Sequence, residues 1–108
     1  MIIMALALLG QVPLLGFAED QRAFEPVRQC VLTDARSQYR TGRKLKVIFE
    51  QARMRCARAD LRASSTITLR AIERAEKAND RPDFNERLSR LYEELFFEVA
   101  NDFVPKSN

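Results

Sequence analysis

The residues able to do chemistry in this 108-residue chain are two cysteines, Cys30 and Cys56, and a basic run at residues 43–60, RKLKVIFEQARMRCARAD. Histidine is absent. That rules out Ser–His–Asp and Cys–His nucleophilic sites and every zinc site that uses imidazole. Two cysteines alone cannot complete a four-ligand structural zinc site. A general base at neutral pH would have to be a buried carboxylate or a shifted lysine. Glu93 and Glu94 are adjacent and point to different faces of a helix, so they do not form a working acid–base pair. The glycines, at 10, 16 and 42, form no phosphate-cradling loop. The sequence therefore predicts no enzyme, no catalytic residue, no metal site and no cofactor.

The cysteines suit a structural role. An even pair in a small exported domain reads as a disulfide, and no C-x-x-C spacing suggests redox work. Their positions fit a helical hairpin. Residues 24–40 carry an apolar stripe at Phe24, Val27, Val31 and Ala35, in steps of three and four. This helix is expected to start near Glu25-Pro26, where proline is tolerated, and to end at Thr41-Gly42, with Gly42 as the left-handed cap. A second helix from Arg43 places Leu45, Ile48, Phe49, Ala52, Cys56, Ala59 and Ala63 on one side. A turn centred near Gly42 brings position 30 opposite roughly position 54–56 of the next limb. Cys30 and Cys56 are the expected pair.

No glycine or proline occurs between Arg43 and Arg81. A break is nevertheless expected at Ser64-Ser65-Thr66, whose side chains favour helix caps and which leads into the β-branched Thr66-Ile67-Thr68. Residues 79–83, NDRPD, punctuate the chain. The last helix, about 82–103, carries Phe84, Leu88, Leu91, Tyr92, Leu95, Phe96, Val99 and Phe103 on a broad apolar face, with Pro105 as its stop. The predicted fold is all-α: a small antiparallel bundle of three to four helices, the first two forming a disulfide-linked hairpin.

The start of the chain bears on compartment. Residues 1–18, MIIMALALLGQVPLLGFA, carry no charge. An apolar core, then Gly10 and Pro13, then small residues one and three positions before Glu19, match a secretory signal cleaved after Ala18. The positive n-region of such signals is missing. The run is shorter than the roughly 20 apolar residues of a spanning helix, and no cysteine at the cleavage point suggests lipid anchoring. The expected organisation is a cleaved signal at 1–18, a single helical domain at 19–104 and a flexible tail at 105–108, with no stable membrane span after cleavage. The predicted location is periplasmic or secreted.

Charge is uneven. Residues 22–74 carry thirteen Lys or Arg against five acids, a local +8, whereas residues 75–108 carry five against eight, a local −3. Lys44, Arg55, Arg58 and Arg62 cluster on one flank of the second limb. Such a flank can meet phosphates, but no aromatic is interleaved with it for base stacking, and export separates it from cellular nucleic acid. Val47, Met54 and Leu61 recur every seven residues opposite the main stripe, and Phe97 lies off the apolar face of its helix. Exposed apolar residues in such registers favour association. The candidate partner-binding set is Lys44, Val47, Met54, Arg55, Arg58, Leu61, Arg62 and Phe97. The expected partner is another protein, acidic where it meets this flank, or an anionic envelope polymer, and a homodimer is compatible with the same residues. An inhibitor, adaptor or holdase-like role suits the size. The alternative is an intracellular nucleic-acid-binding module using residues 43–62.

Overall fold

The computed structural model describes residues 14–107. The expected signal falls mostly on residues 1–13, outside the described part, as does Asn108. Among the described residues the chain is all-helical: α1 (Phe17–Arg36), α2 (Leu45–Arg55), α3 (Ala57–Ala78) and α4 (Phe84–Ser107). Every helix packs against the other three, which makes the fold a helical bundle with one core.

The apolar stripes read from the sequence line that core. Phe24, Val27, Val31 and Ala35 of α1 are buried, as are Ile48, Phe49 and Ala52 of α2. Ala63, Ile67, Ala71 and Ala75 of α3 and Leu91, Leu95 and Val99 of α4 complete it. Small alanines let α3 approach closely, while large side chains come from α1, α2 and α4. Three edge-to-face aromatic pairs fasten α4 to the rest: Phe24–Tyr92 at 5.0 Å, Phe49–Phe96 at 5.1 Å and Tyr39–Phe103 at 5.2 Å between ring centroids. Such geometry is favoured by the ring quadrupoles and contributes about 0.5–1.5 kcal/mol per pair beyond burial.

Four boundaries differ from expectation, the fourth at the end of the last helix. First, α1 begins at Phe17, not near Glu25-Pro26, and Pro26 lies inside it. Pro26 is exposed, and its missing N–H deprives only the Arg22 carbonyl of a helix bond. The extra turns are held by Asp20, which is buried against α4. The helix therefore starts two residues before the expected cleavage point.

Second, α1 ends at Arg36, well before Thr41-Gly42. Gly42 does have a positive φ of 81°, but it lies in the connection and caps no helix. The cause is burial of Gln38 and Tyr39. The Tyr39 hydroxyl donates to the Asp102 carboxylate at 2.8 Å. The Gln38 amide donates to Asp34 at 2.8 Å and its oxygen accepts from Arg43 at 3.0 Å. These contacts turn the chain inward.

Third, the long limb bends at Cys56 and not at Ser64-Ser65-Thr66. Cys56 has φ −97° and ψ 18°, between α2 and α3. Helical bonding spans the bend: the Cys56 N–H donates to Ala52 and Arg53 carbonyls, and its own carbonyl accepts from Asp60. Residues 64–66 stay helical because Ile67 is fully buried. Burying an isoleucine contributes about 1.5–3 kcal/mol, against a few tenths for poor helix propensity. Ser64 does not cap a helix; its hydroxyl donates to Asp60 at 3.2 Å.

The NDRPD segment ends α3 as expected. Asn79 adopts the left-handed conformation at φ 52°, and the Asp80 N–H reaches back to the Ala75 carbonyl at 2.9 Å, a Schellman-type closure. The last helix continues past the expected stop at Pro105, to Ser107. Near a helix end, a proline's missing N–H costs only one bond.

Cys30 and Cys56 form a disulfide, with Cα atoms 6.0 Å apart. It joins the middle of α1 to the α2–α3 bend. Closing a loop of this length stabilises the fold by about 3.5 kcal/mol on the chain-entropy account.

Candidate functional site

The outer side of α2 and α3 is defined by what those helices bury. With Ile48, Phe49 and Ala52 turned to the core, Val47 and Met54 must face away; with Ala63 and Ile67 buried, so must Arg58, Leu61 and Arg62. Met54 is 76% exposed, Leu61 69% and Val47 39%. Leu69, 60% exposed, joins the same outward row. The sequence reading missed it because it falls eight residues after Leu61, one beyond the seven-residue repeat. At about 100° per residue, steps of seven, seven and eight keep these side chains within roughly a quarter-turn of one another. Phe97, 57% exposed, is separate from this row. It sits on the outside of α4, and its ring touches that of Phe96 at 6.2 Å.

The basic residues divide into committed and free. Arg55 pairs with Asp34 of α1 at 3.0 Å. Arg43 donates to Gln51 at 2.7 Å as well as to Gln38. Arg53 lies 3.7 Å over the Tyr92 ring, whose hydroxyl in turn donates to Asp60. Lys44, Arg58 and Arg62 are exposed and make no ion pair among the described residues. Arg55 is exposed as well, and Asp34 of α1 compensates its charge. The exposed leucines and Met54 stand beside cations that make no ion pair among the described residues.

Two other places carry charge. A shallow groove of about 250 Å³ between α1 and α4 is floored by Phe24, Leu91 and Leu95. On its rim Arg28 bridges Glu98 at 2.7 Å and Glu25 at 2.8 Å. The Glu98 carboxylate raises the Arg28 pKa, and Glu25 is lowered, mainly by the hydrogen bond from Gln29. The groove is thus closed over by its own ion pairs.

The second place is buried, and no local sequence pattern marks it. Asp20 is fully buried and Arg87 is 3% exposed. Arg87 donates to Asp20 through Nη1 at 2.7 Å and to Asp83 through Nε at 2.7 Å. Arg74 Nη1 stands 4.0 Å from Asp20 Oδ1, and neither of those two atoms has a hydrogen-bond partner. Arg74 also reaches Glu19 at 3.5 Å and lies over Gly16, where a Cβ would come within 2.5 Å of its Nη2. This cluster ties α1, α3 and α4 together at one end of the bundle. Arg74, Asp83 and Arg87 of this cluster also line a pocket of about 190 Å³.

No known family, curated protein or solved structure matches the chain. Function must be argued from the molecule itself. Among the described residues no group of three Cys, Asp or Glu is arranged to hold a metal ion, and no helix is long and apolar enough to cross a membrane. Among the described residues, the outer face of α2 and α3 sets Met54, Leu61 and Leu69 beside Arg58 and Arg62, which make no ion pair.

Proposed function

We propose that this is a small exported helical protein that acts by binding another protein, in an inhibitor, adaptor or holdase-like role in the cell envelope. One observation carries the reading: Met54, Leu61 and Leu69 stand exposed in a row on α2–α3, beside Arg58 and Arg62, which make no ion pair among the described residues. Large apolar side chains left outside, next to free cations, suit a partner with an apolar strip and an acidic rim. The disulfide is compatible with an oxidising compartment, and the uncharged leader supplies the export reading. In this proposal α1 and α2–α3 run antiparallel as a stapled hairpin that presents the face. The nucleic-acid alternative draws less support, because Arg43, Arg53 and Arg55 are engaged within the fold.

The test is affinity capture from envelope extract with wild type and with the M54D/L61D and R58E/R62E variants. Circular dichroism and nonreducing mass spectrometry confirm that each variant is folded and disulfide-bonded. All four positions are exposed, so the fold should lose no more than about 0.5 kcal/mol per substitution. The expected result is one polypeptide bound saturably by wild type and lost with either variant. Equal capture by all three proteins would overturn the proposal. So would tight binding to duplex DNA with the steep salt dependence of phosphate contacts.

A further inference from the structure

We infer that a second copy of this chain is a partner of the α2–α3 face, seated on it through the outer face of α4. The inference rests on the reading of α2–α3 as the contact face and names one occupant for it. Charge complementarity carries it. The outer side of α4 presents Phe97 together with Glu86 and Glu93, both exposed and neither in an ion pair among the described residues. Glu86, Glu93 and Phe97 are spaced by seven and four, which places them on one side of the helix.

On the opposing limb, Met54, Arg58 and Arg62 are spaced by four and four, with Leu61 beside them. Laid antiparallel, Phe97 of one copy meets Met54 of the other and Glu93 meets Arg58, while Glu86 falls opposite Ser65, about 4.5 Å along the helix from Arg62, and Arg90 falls opposite Leu61. Arg58 and Arg62, which make no ion pair among the described residues, thereby face the carboxylates of the next copy. Met54 and Phe97 cover each other in the same contact. The inference is the twofold-symmetric form of this contact, α4 on α2–α3 and the reverse, which ends at a dimer; a head-to-tail series of larger species would overturn it.

The uneven charge of the sequence then has a purpose. A basic segment and an acidic segment on one chain attract copies of that chain and set their orientation. Electrostatic pairing of this kind governs register and encounter more than raw affinity.

The experiment is sedimentation velocity on the oxidised protein as recovered from cells, at protein concentrations up to about 100 µM and in low and roughly 0.5 M salt. The expected result is a concentration-dependent dimer, weakened by salt. R58E/R62E alone and E86R/E93R alone should each weaken it by about 10- to 100-fold. An equimolar mixture of the two variants should restore association, because reversed charges again face opposites. Phe97→Asp should weaken the dimer without altering helicity. A monomer at every concentration overturns the inference, as does a dimer indifferent to both charge reversals or a mixture that fails to recover. The E86R/E93R variant keeps the α2–α3 face intact. Loss of the dimer with retained capture from extract therefore supports both readings. A monomeric wild type that still captures a partner sinks this inference alone. Loss of capture sensitivity to M54D/L61D sinks the reading beneath it.

Discussion

Replacing Arg87 by methionine removes the cation that Asp20 depends on. Asp20 has no exposed surface, so its carboxylate cannot turn to water. Its Oδ2 would lose the 2.7 Å bond from Arg87, and its Oδ1 has no hydrogen-bond partner to begin with. Arg74, at 4.0 Å, would be the nearest remaining cation, beyond hydrogen-bonding distance. Removing one partner of a buried ion pair costs about 3–5 kcal/mol, most of it the penalty of an uncompensated charge. For a domain of this size each kcal/mol lowers the melting temperature by about 4–8 °C, so R87M should melt roughly 12–40 °C below wild type. The double variant D20L/R87M exchanges the pair for apolar groups and should recover to within about 1 kcal/mol of wild type. Urea titrations of wild type, both singles and the double give the coupling energy directly, expected at about 2–4 kcal/mol. An R87M cost below about 1 kcal/mol, or a double variant as unstable as the two singles added, would refute the reasoning.

Replacing Cys30 and Cys56 by alanine should lower stability by about 3.5 kcal/mol, read as a shifted urea midpoint; reductant should have the same effect on wild type and none on the variant. Tyr39→Phe deletes the hydroxyl bonded to Asp102 at 2.8 Å and should cost about 1.5–3 kcal/mol, the range for a bond to a charged group. Burial first, and the Asp102 carboxylate second, push the Tyr39 pKa above the usual tyrosine range. Its stabilising contribution is therefore complete below the unfolded value near 10 and is lost as pH rises beyond it. An ultraviolet titration should show this phenol resisting ionisation until the chain unfolds in alkali. Gly16→Ala places a methyl group on a residue with φ 74°, against the Arg74 guanidinium, and should cost about 1 kcal/mol or more in any chain that retains residue 16. If cleavage after Ala18 precedes purification, the melting temperature will not respond to this substitution, and intact mass will show why.

Most of the core was legible because a helix that must bury one side repeats its apolar residues every three or four positions. Val31, Ile48 and Val99, each without exposed surface, all lie on stripes visible in the sequence. The cysteine pairing was legible because an even pair in a small domain favours a disulfide, although the connection between the helices, residues 37–44, is longer than the expected turn at Gly42. The helix ends were not. Their positions depend on Tyr39 reaching Asp102, 63 residues away, and on Asp20 reaching Arg87, 67 residues away. Local propensity contains no trace of such long-range bonds. The Asp20–Arg87 pair was hidden more deeply, because an isolated aspartate or arginine reads as surface. Of the candidate contact residues, Val47, Met54, Leu61 and Phe97 were found by their departure from the core stripes. Arg55 was grouped with the free cations because nothing in the sequence shows that Asp34 lies within its reach.

The position of Cys56 makes one covalent bond act on two rods. α2 finishes just before it and α3 begins just after it, so anchoring this joint to α1 fixes the elbow of a bent arm. A crosslink placed midway along either helix would have gripped one segment and left the other free to swing. Here neither segment can pivot without dragging the knot, and Met54 and Leu61, on opposite sides of the elbow, keep a constant separation. An arm braced at its joint offers a neighbour a rigid outline, and docking against it freezes little additional motion.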